Sequence, residues 1–155
     1  MPALAVGDRA PSFTAVLQDG GHFDSASVIG KKAVVLFFYP KDNTPVCTKE
    51  ACAFRDSYEA FAAAGAEVIG VSSDSAASHQ AFATKHRLPF PIISDHDRAL
   101  RKLFGVRNPL GVIPGRVTYV IDRQGVIRLV FSALFASDEH VRKALAAVQE
   151  AARSP

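Results

Sequence analysis

The chain has 155 residues, of which 48% are hydrophobic and 21% charged, with 18 lysines and arginines against 15 aspartates and glutamates and only two cysteines. That composition excludes a disordered, collagen-like or coiled-coil chain and a small disulfide scaffold, and the length fits one domain that buries a core without a staple. The net charge of +3 is thinly spread: the densest basic pair is Lys31-Lys32, far from the clustered basic stripe of a nucleic-acid binder.

Met1 to Asp8 carries neither a basic region nor a long apolar stretch, so it does not read as a signal peptide. No run approaches the roughly 18 apolar residues of a membrane span. We therefore expect a cytoplasmic protein with reduced thiols, although a transit peptide removed upstream would leave no trace. Ser12 to Gln18 reads as an early strand closed by the turn Asp19-Gly20-Gly21. Ala33 to Tyr39 (AVVLFFY) is a continuous apolar run, as expected of a strand buried on both faces. A loop over Pro40 to Pro45 leads into a long helical pattern from Pro45 to about Ala64. Thr44 serves as its N-cap, Pro45 stands at its first position and Gly65 is its stop. Glu67 to Ser72 is a second core strand, Ser75 to His86 a helix, Phe90 to Ser94 a short strand and Asp97 to Phe104 a short helix. Arg116 to Asp122 and Val126 to Phe131 bracket Arg123-Gln124-Gly125 as a hairpin. The last helix is capped by Ser137, has Asp138 and Glu139 in its first turn, and runs to about Ala152. Alternation first and a hairpin later predicts an α/β fold: one domain over residues 1–155, with a mixed central sheet flanked by helices on both faces, in the thioredoxin-like arrangement.

The segment that carries chemistry is Tyr39-Pro40-Lys41-Asp42-Asn43-Thr44-Pro45-Val46-Cys47-Thr48-Lys49-Glu50-Ala51-Cys52. It places Cys47 in the first turn of a helix, where unpartnered backbone N–H groups and the positive end of the helix dipole favour a thiolate. Ionisation alone makes a reactive cysteine; efficient catalysis also needs groups that hold the substrate and stabilise the charge leaving on it. Thr44 offers a hydroxyl nearby, and a cation from elsewhere in the chain would complete the site. The bland alternative is that Cys47 is a small buried hydrophobe. Cys52 lies five residues on in the same helix, which sets the two Cα atoms about 8.7 Å apart with their side chains diverging. A disulfide tolerates at most about 7 Å. Two unconnected thiols are one reading; a disulfide requires the first turns of the helix to unwind.

The pattern Pro40-x-x-x-Thr44-x-x-Cys47 resembles the active-site signature of the peroxiredoxins, and the surrounding YPKDNTPVCTKEACAFRD is similar to their Q-type, or bacterioferritin comigratory, subgroup. Gly7-Asp8-x-Ala10-Pro11-x-Phe13 resembles the opening of these proteins, and Gly115-Arg116-Val117-Thr118-Tyr119-Val120-Ile121-Asp122 their later strand with the site arginine. The likeness runs over about residues 4 to 150. It implies a thiol-dependent peroxidase, without metal or other cofactor, acting on hydrogen peroxide and organic hydroperoxides. Cys47 would be the peroxidatic cysteine, shielded by Pro40; Thr44 would hydrogen-bond the peroxide, and Arg116, oriented by Glu50, would favour the thiolate and polarise the O–O bond. Glu50 as an ordinary exposed helix residue is the alternative. Cys52 would be the resolving cysteine of an intramolecular disulfide that a thioredoxin-like dithiol reduces. With both cysteines in one chain and many Q-type proteins monomeric, we expect a monomer, and the thin charge and lack of a long apolar run predict no nucleic-acid or membrane partner. One departure is Val46, where the Q-type pattern has glycine; a β-branched residue has less conformational freedom and bears on the ease of unwinding.

Other constellations are weak. His22, His79, His86, His96 and His140 show no metal-ligand spacing, and no nucleophile elbow, P-loop or dinucleotide fingerprint occurs. Phe54 and Phe104 are expected in the core rather than at a substrate mouth. Two rival functions are a redox sensor or holdase chaperone switched by the same disulfide, and a thioredoxin-fold binding module with inert cysteines.

Overall fold

The computed structural model of the chain describes residues 4–106, 116–133 and 136–153. Its centre is the apolar run: β3 spans Ala33–Phe38 and every residue in it is buried. Strand alternation sends Ala33, Val35 and Phe37 to one face of the sheet and Val34, Leu36 and Phe38 to the other, so both faces need covering. β4 (Ala66–Ser72) and β5 (Ile92–Ser94) continue the sheet in parallel, with Phe37 opposite Gly70. A Cβ at Gly70 would meet the Phe37 ring at 2.9 Å, which is why the smallest residue stands there. On the other side β6 (Val117–Ile121) runs antiparallel to β3, and β7 (Ile127–Ser132) antiparallel to β6. β1 (Thr14–Leu17) pairs antiparallel with β5 and with β2 (His22–Asp24), giving the order β2-β1-β5-β4-β3-β6-β7.

The helices divide as the two faces demand. Residues of α1 (Pro45–Asp56), α2 (Tyr58–Ala63), α3 (Ala76–His86) and α5 (Ser137–Arg153) pack on the face of Phe37. Leu100 and Phe104 of α4 (Ala99–Phe104) pack on the other, together with Phe13 and Phe23 of the N-terminal segment. This is the mixed sheet with helices on both faces that the pattern predicts. Phe54 and Phe104 are both fully buried, as expected of core residues.

Four local expectations change. The single helix from Pro45 to Ala64 is two, broken at Ser57, whose backbone N–H donates back to Ala53 while its own carbonyl starts α2. His22–Asp24 forms a strand that three residues alone do not announce. Thr44 occupies the N-cap in extended backbone, but its hydroxyl donates to the Lys41 carbonyl at 2.9 Å and closes the preceding turn instead of capping. Ser137 is the first residue of α5, and its hydroxyl donates to the Val46 carbonyl across to α1. Gly115 of the arginine segment and the first three residues lie outside the described residues.

Candidate active site

The site forms where β3 ends. Tyr39 extends the strand by one more hydrogen bond, to the Val71 carbonyl, and the chain then turns through Pro40 to Thr44 with Asn43 in the left-handed region (φ 61°). The turn is anchored from below by Asp42, whose side chain is almost fully buried. Its carboxylate accepts from the Tyr39 hydroxyl (2.5 Å), His79 Nδ1 (2.6 Å) and the Ser78 hydroxyl (2.8 Å), while its backbone N–H donates to Asp74 (2.7 Å). Burial raises the pKa of Asp42, but these bonds, led by that from His79, outweigh it and hold the carboxyl below its ordinary value. Burial, then the Asp42 charge, pushes the Tyr39 hydroxyl well above its ordinary pKa, so it remains a donor.

Cys47 follows in the first turn of α1 with 2% exposure. Pro45 at the first helical position has no N–H, and the amides of Val46 and Cys47 have no partner further up the helix. The register of β6 brings the cation. Val117 stands opposite Phe38, so Arg116, one residue earlier, lies beside the strand end from which the turn leads to Cys47. Arg116 Nη2 donates to Cys47 Sγ at 3.1 Å and Nη1 to Glu50 Oε1 at 2.7 Å. The three side chains are buried together: Glu50 is 0% and Arg116 3% exposed. Glu50 is thus no surface residue of α1.

A buried ion pair is costly unless it is well bonded, and the titrations show that tension. Burial disfavours the Arg116 charge, but the facing Glu50 and then Cys47 more than compensate, so its pKa is raised. Glu50 loses the same contest: burial outweighs Arg116 and lifts it from 4.5 to about 7. Its second oxygen, Oε2, has no hydrogen-bond partner among the described residues and faces His140 Nδ1 at 3.5 Å. His140, fully buried on α5, also contacts the Thr118 hydroxyl through Nδ1 (2.7 Å) and the Ala133 carbonyl through Nε2 (2.8 Å). Burial lowers its pKa from 6.5 to about 4.

Of the six residues singled out in the sequence, the structure joins Cys47, Arg116 and Glu50 by direct bonds. Pro40 and Thr44 lie half-buried in the turn before them, and Cys52 is half-buried one and a half turns along α1. Both cysteines are free thiols and the helix between them is intact. Among the described residues no group of three or more His, Cys, Asp or Glu side chains suits a metal ion. Sequence reasoning missed His140, Thr118 and the Asp42–His79 anchor. No spacing links positions 50, 118 and 140, and only the meeting of α1, β6 and α5 reveals them.

An arginine fork held on a thiol at a helix N-terminus is an arrangement that favours thiolate and supplies donors to a developing oxyanion. Residues 6–130 match the AhpC/TSA family. Peroxiredoxin Q, chloroplastic, of Triticum aestivum is 50% identical over 147 residues, 94% of this chain and 67% of that protein. The Populus jackii protein of the same name is 49% identical over 144 residues, 92% of this chain and 67% of its own length. The crystal structure of peroxidoxin BcpB from Mycobacterium tuberculosis superposes with a TM-score of 0.86 at 37% identity, covering 94% of this chain and 96% of that one. The Xanthomonas campestris bacterioferritin comigratory protein, described as having alkyl peroxide reduction activity, does so with a TM-score of 0.79 at 31% identity, covering 91% and 92%. Matched in family, in overall fold and in named relatives, the chain belongs to the AhpC/TSA family as a Q-type peroxiredoxin, a thiol-dependent peroxidase.

Proposed function

We propose that Cys47 is the peroxidatic cysteine and Cys52 its resolving partner. The observation that carries this is the 3.1 Å bond from Arg116 to a buried sulfur in the first turn of α1. The Cys47 thiolate attacks the terminal oxygen of a hydroperoxide; the S–O bond forms as the O–O bond breaks, giving a sulfenic acid and an alkoxide or hydroxide that takes a proton. Arg116 keeps the sulfur anionic and donates to the oxygen that gains charge, while Pro40 keeps water from the sulfur and the Thr44 hydroxyl turns from Lys41 to the peroxide. Glu50 fixes the guanidinium. The first turns of α1 then unwind, since about 8.7 Å between Cα atoms exceeds the reach of a disulfide. The Cys52 thiolate attacks the Cys47 sulfur, hydroxide leaves as water, and a dithiol of the thioredoxin type reduces the disulfide.

Hydrogen peroxide and organic hydroperoxides are the substrates on this reading, which the Xanthomonas relative's alkyl peroxide reduction supports for the organic class. Two cysteines in one chain support a monomer. The plant relatives are named chloroplastic, which supports a plastid location in place of the cytoplasm expected from the sequence; no helix among the described residues is long and apolar enough to cross a membrane.

A peroxidase assay coupled to a thioredoxin system, with substoichiometric protein and several peroxides, is the test. Wild type turns over repeatedly, and Cys47→Ser loses at least about a thousandfold, because a serine hydroxyl is hardly ionised at neutral pH. Turnover within tenfold of wild type would exclude Cys47. A single oxidation without turnover would favour the sensor or holdase reading.

A further inference from the structure

We propose that His140 is a positioning residue for peroxide reduction: its Nδ1, facing Glu50 Oε2 at 3.5 Å, favours the protonated carboxyl, so that Glu50 competes less with Cys47 for the charge of Arg116. This rests on the peroxidatic role of Cys47 proposed above.

The case starts from charge balance. A Cys47 thiolate, the Arg116 cation and an ionised Glu50 would leave one net negative charge in a cluster whose members are 0–3% exposed. A buried uncompensated charge is costly, and a nearby group takes up a proton instead. The geometry says where. His140 Nε2 lies 2.8 Å from the Ala133 carbonyl, which only accepts, so Nε2 carries hydrogen. In the neutral ring Nδ1 is then a lone pair. An ionised Glu50 would point a second lone pair at it from Oε2, an oxygen with no other partner among the described residues. One proton removes the clash, either on Oε2 directed at Nδ1 or on Nδ1 shared with the Thr118 oxygen at 2.7 Å. Burial disfavours both the carboxylate and the imidazolium, as the upward shift of Glu50 and the downward shift of His140 express, so the neutral acid beside the neutral ring is the resting form.

Among the described residues, the charged and titratable groups facing this pair are few. Glu50 on α1 faces Cys47 on its own helix, Arg116 before β6 and His140 on α5. Among the described residues His140 faces Glu50, the Arg116 cation, which after burial also lowers its pKa, the neutral Thr118 of β6 and, edge to face, the Phe131 ring of β7, over which Lys143 of α5 lies. Arg116 is therefore the cation that both acids share. When Glu50 loses its proton, the guanidinium divides between two anions, and the thiolate of Cys47 is less favoured. The two titrations belong to the coupled set and not to either residue alone.

The test is the ultraviolet titration of the Cys47 thiolate in the Cys52→Ser background, which makes Cys47 the single reporting cysteine. His140→Leu removes the acceptor that favours protonated Glu50. We expect its thiolate midpoint to rise by about one pH unit, the scale for a like charge, here an ionised Glu50, appearing beside the same guanidinium. His140→Asn keeps an acceptor near the position of Nδ1 and restores at least half of that shift. With Glu50→Gln already present, His140→Leu no longer moves the midpoint. A shift that persists undiminished with Glu50→Gln, or no shift in either background, overturns the proposal. If His140→Leu does not fold, infrared difference spectra of the otherwise unchanged protein decide. A protonated-carboxyl band on the acid side of neutrality, lost with Glu50→Gln, supports the protonated Glu50 on which the proposal depends; its absence overturns it. Neither readout depends on turnover, so failure here leaves the assignment of Cys47 standing, and failure of the coupled assay leaves these titrations readable.

Discussion

At the scale of single residues, Glu50 shows how burial turns an ordinary side chain into part of a site. In the sequence it is one glutamate on a helix, equally suited to solvent. In the fold it is fully buried and tied to Arg116, 66 residues away. The meeting of Cys47 and Arg116 was legible because one stands in a local motif and the other in a recognisable strand. His140 was not, because its significance depends on which helix face meets α1. We predict that Arg116→Ala keeps the fold but slows oxidation of Cys47 by about 10²-fold or more, the usual scale for one charge-stabilising donor. It should also move the thiolate titration upward, since an adjacent cation favours the anion. Stopped-flow oxidation and thiolate absorbance measure the two effects; an unchanged rate with an unchanged titration would exclude Arg116 from the chemistry.

At the scale of elements, the decisive piece is the first turn of α1. On the proposed function it is helical when it aims its amides at Cys47 and opens when Cys47 is to reach Cys52. Val46 bears on both states. Its side chain is half-buried, and its carbonyl accepts from Ser137 of α5 at 3.4 Å, which ties the turn to α5. Glycine there would destabilise the helical turn by up to about 1 kcal/mol. Val46→Gly should therefore speed disulfide formation by up to about fivefold and lower inactivation by excess peroxide, because the sulfenic acid waits less time before Cys52 reaches it. Stopped-flow fluorescence with two resolved phases checks this; a second phase that is unchanged or slower would show that position 46 does not control the opening. The break at Ser57 was invisible in the sequence for a related reason. Helical periodicity continues through it, and only the non-helical backbone of Ser57 (φ −101°, ψ 5°), not a glycine or proline, separates α1 from α2.

At the scale of the whole molecule, the fold was legible where burial is two-sided. The apolar run of β3 announces a central strand, and the later hairpin announces an antiparallel edge. β2 escaped notice because its three residues have no periodicity to read. The buried Glu50 and His140 also imprint the pH dependence of stability. The pKa of Glu50 is raised to about 7 from 4.5, so its contribution is full below about 4.5 and is lost as pH rises through about 7. The pKa of His140 is lowered to about 4 from 6.5, so its contribution is full above about 6.5 and is lost as pH falls through about 4. Between roughly 4.5 and 6.5 the two slopes oppose and the wild type should show a nearly flat profile. Glu50→Gln removes the falling limb, and its stability should rise with pH through that window. Urea unfolding at several pH values tests this; parallel profiles for the two proteins would show that Glu50 does not titrate in the folded state.

The central claim is that the oxidising equivalent of the peroxide enters at Cys47 and passes to Cys52 within one chain. Peptide mass mapping after one equivalent of peroxide tests it most directly. The account predicts an intramolecular Cys47–Cys52 disulfide in the wild type, and with Cys52→Ser a sulfenic acid on Cys47 that an added thiol captures. A wild-type protein that instead carries oxygen on Cys52, or links only between two chains, would contradict it.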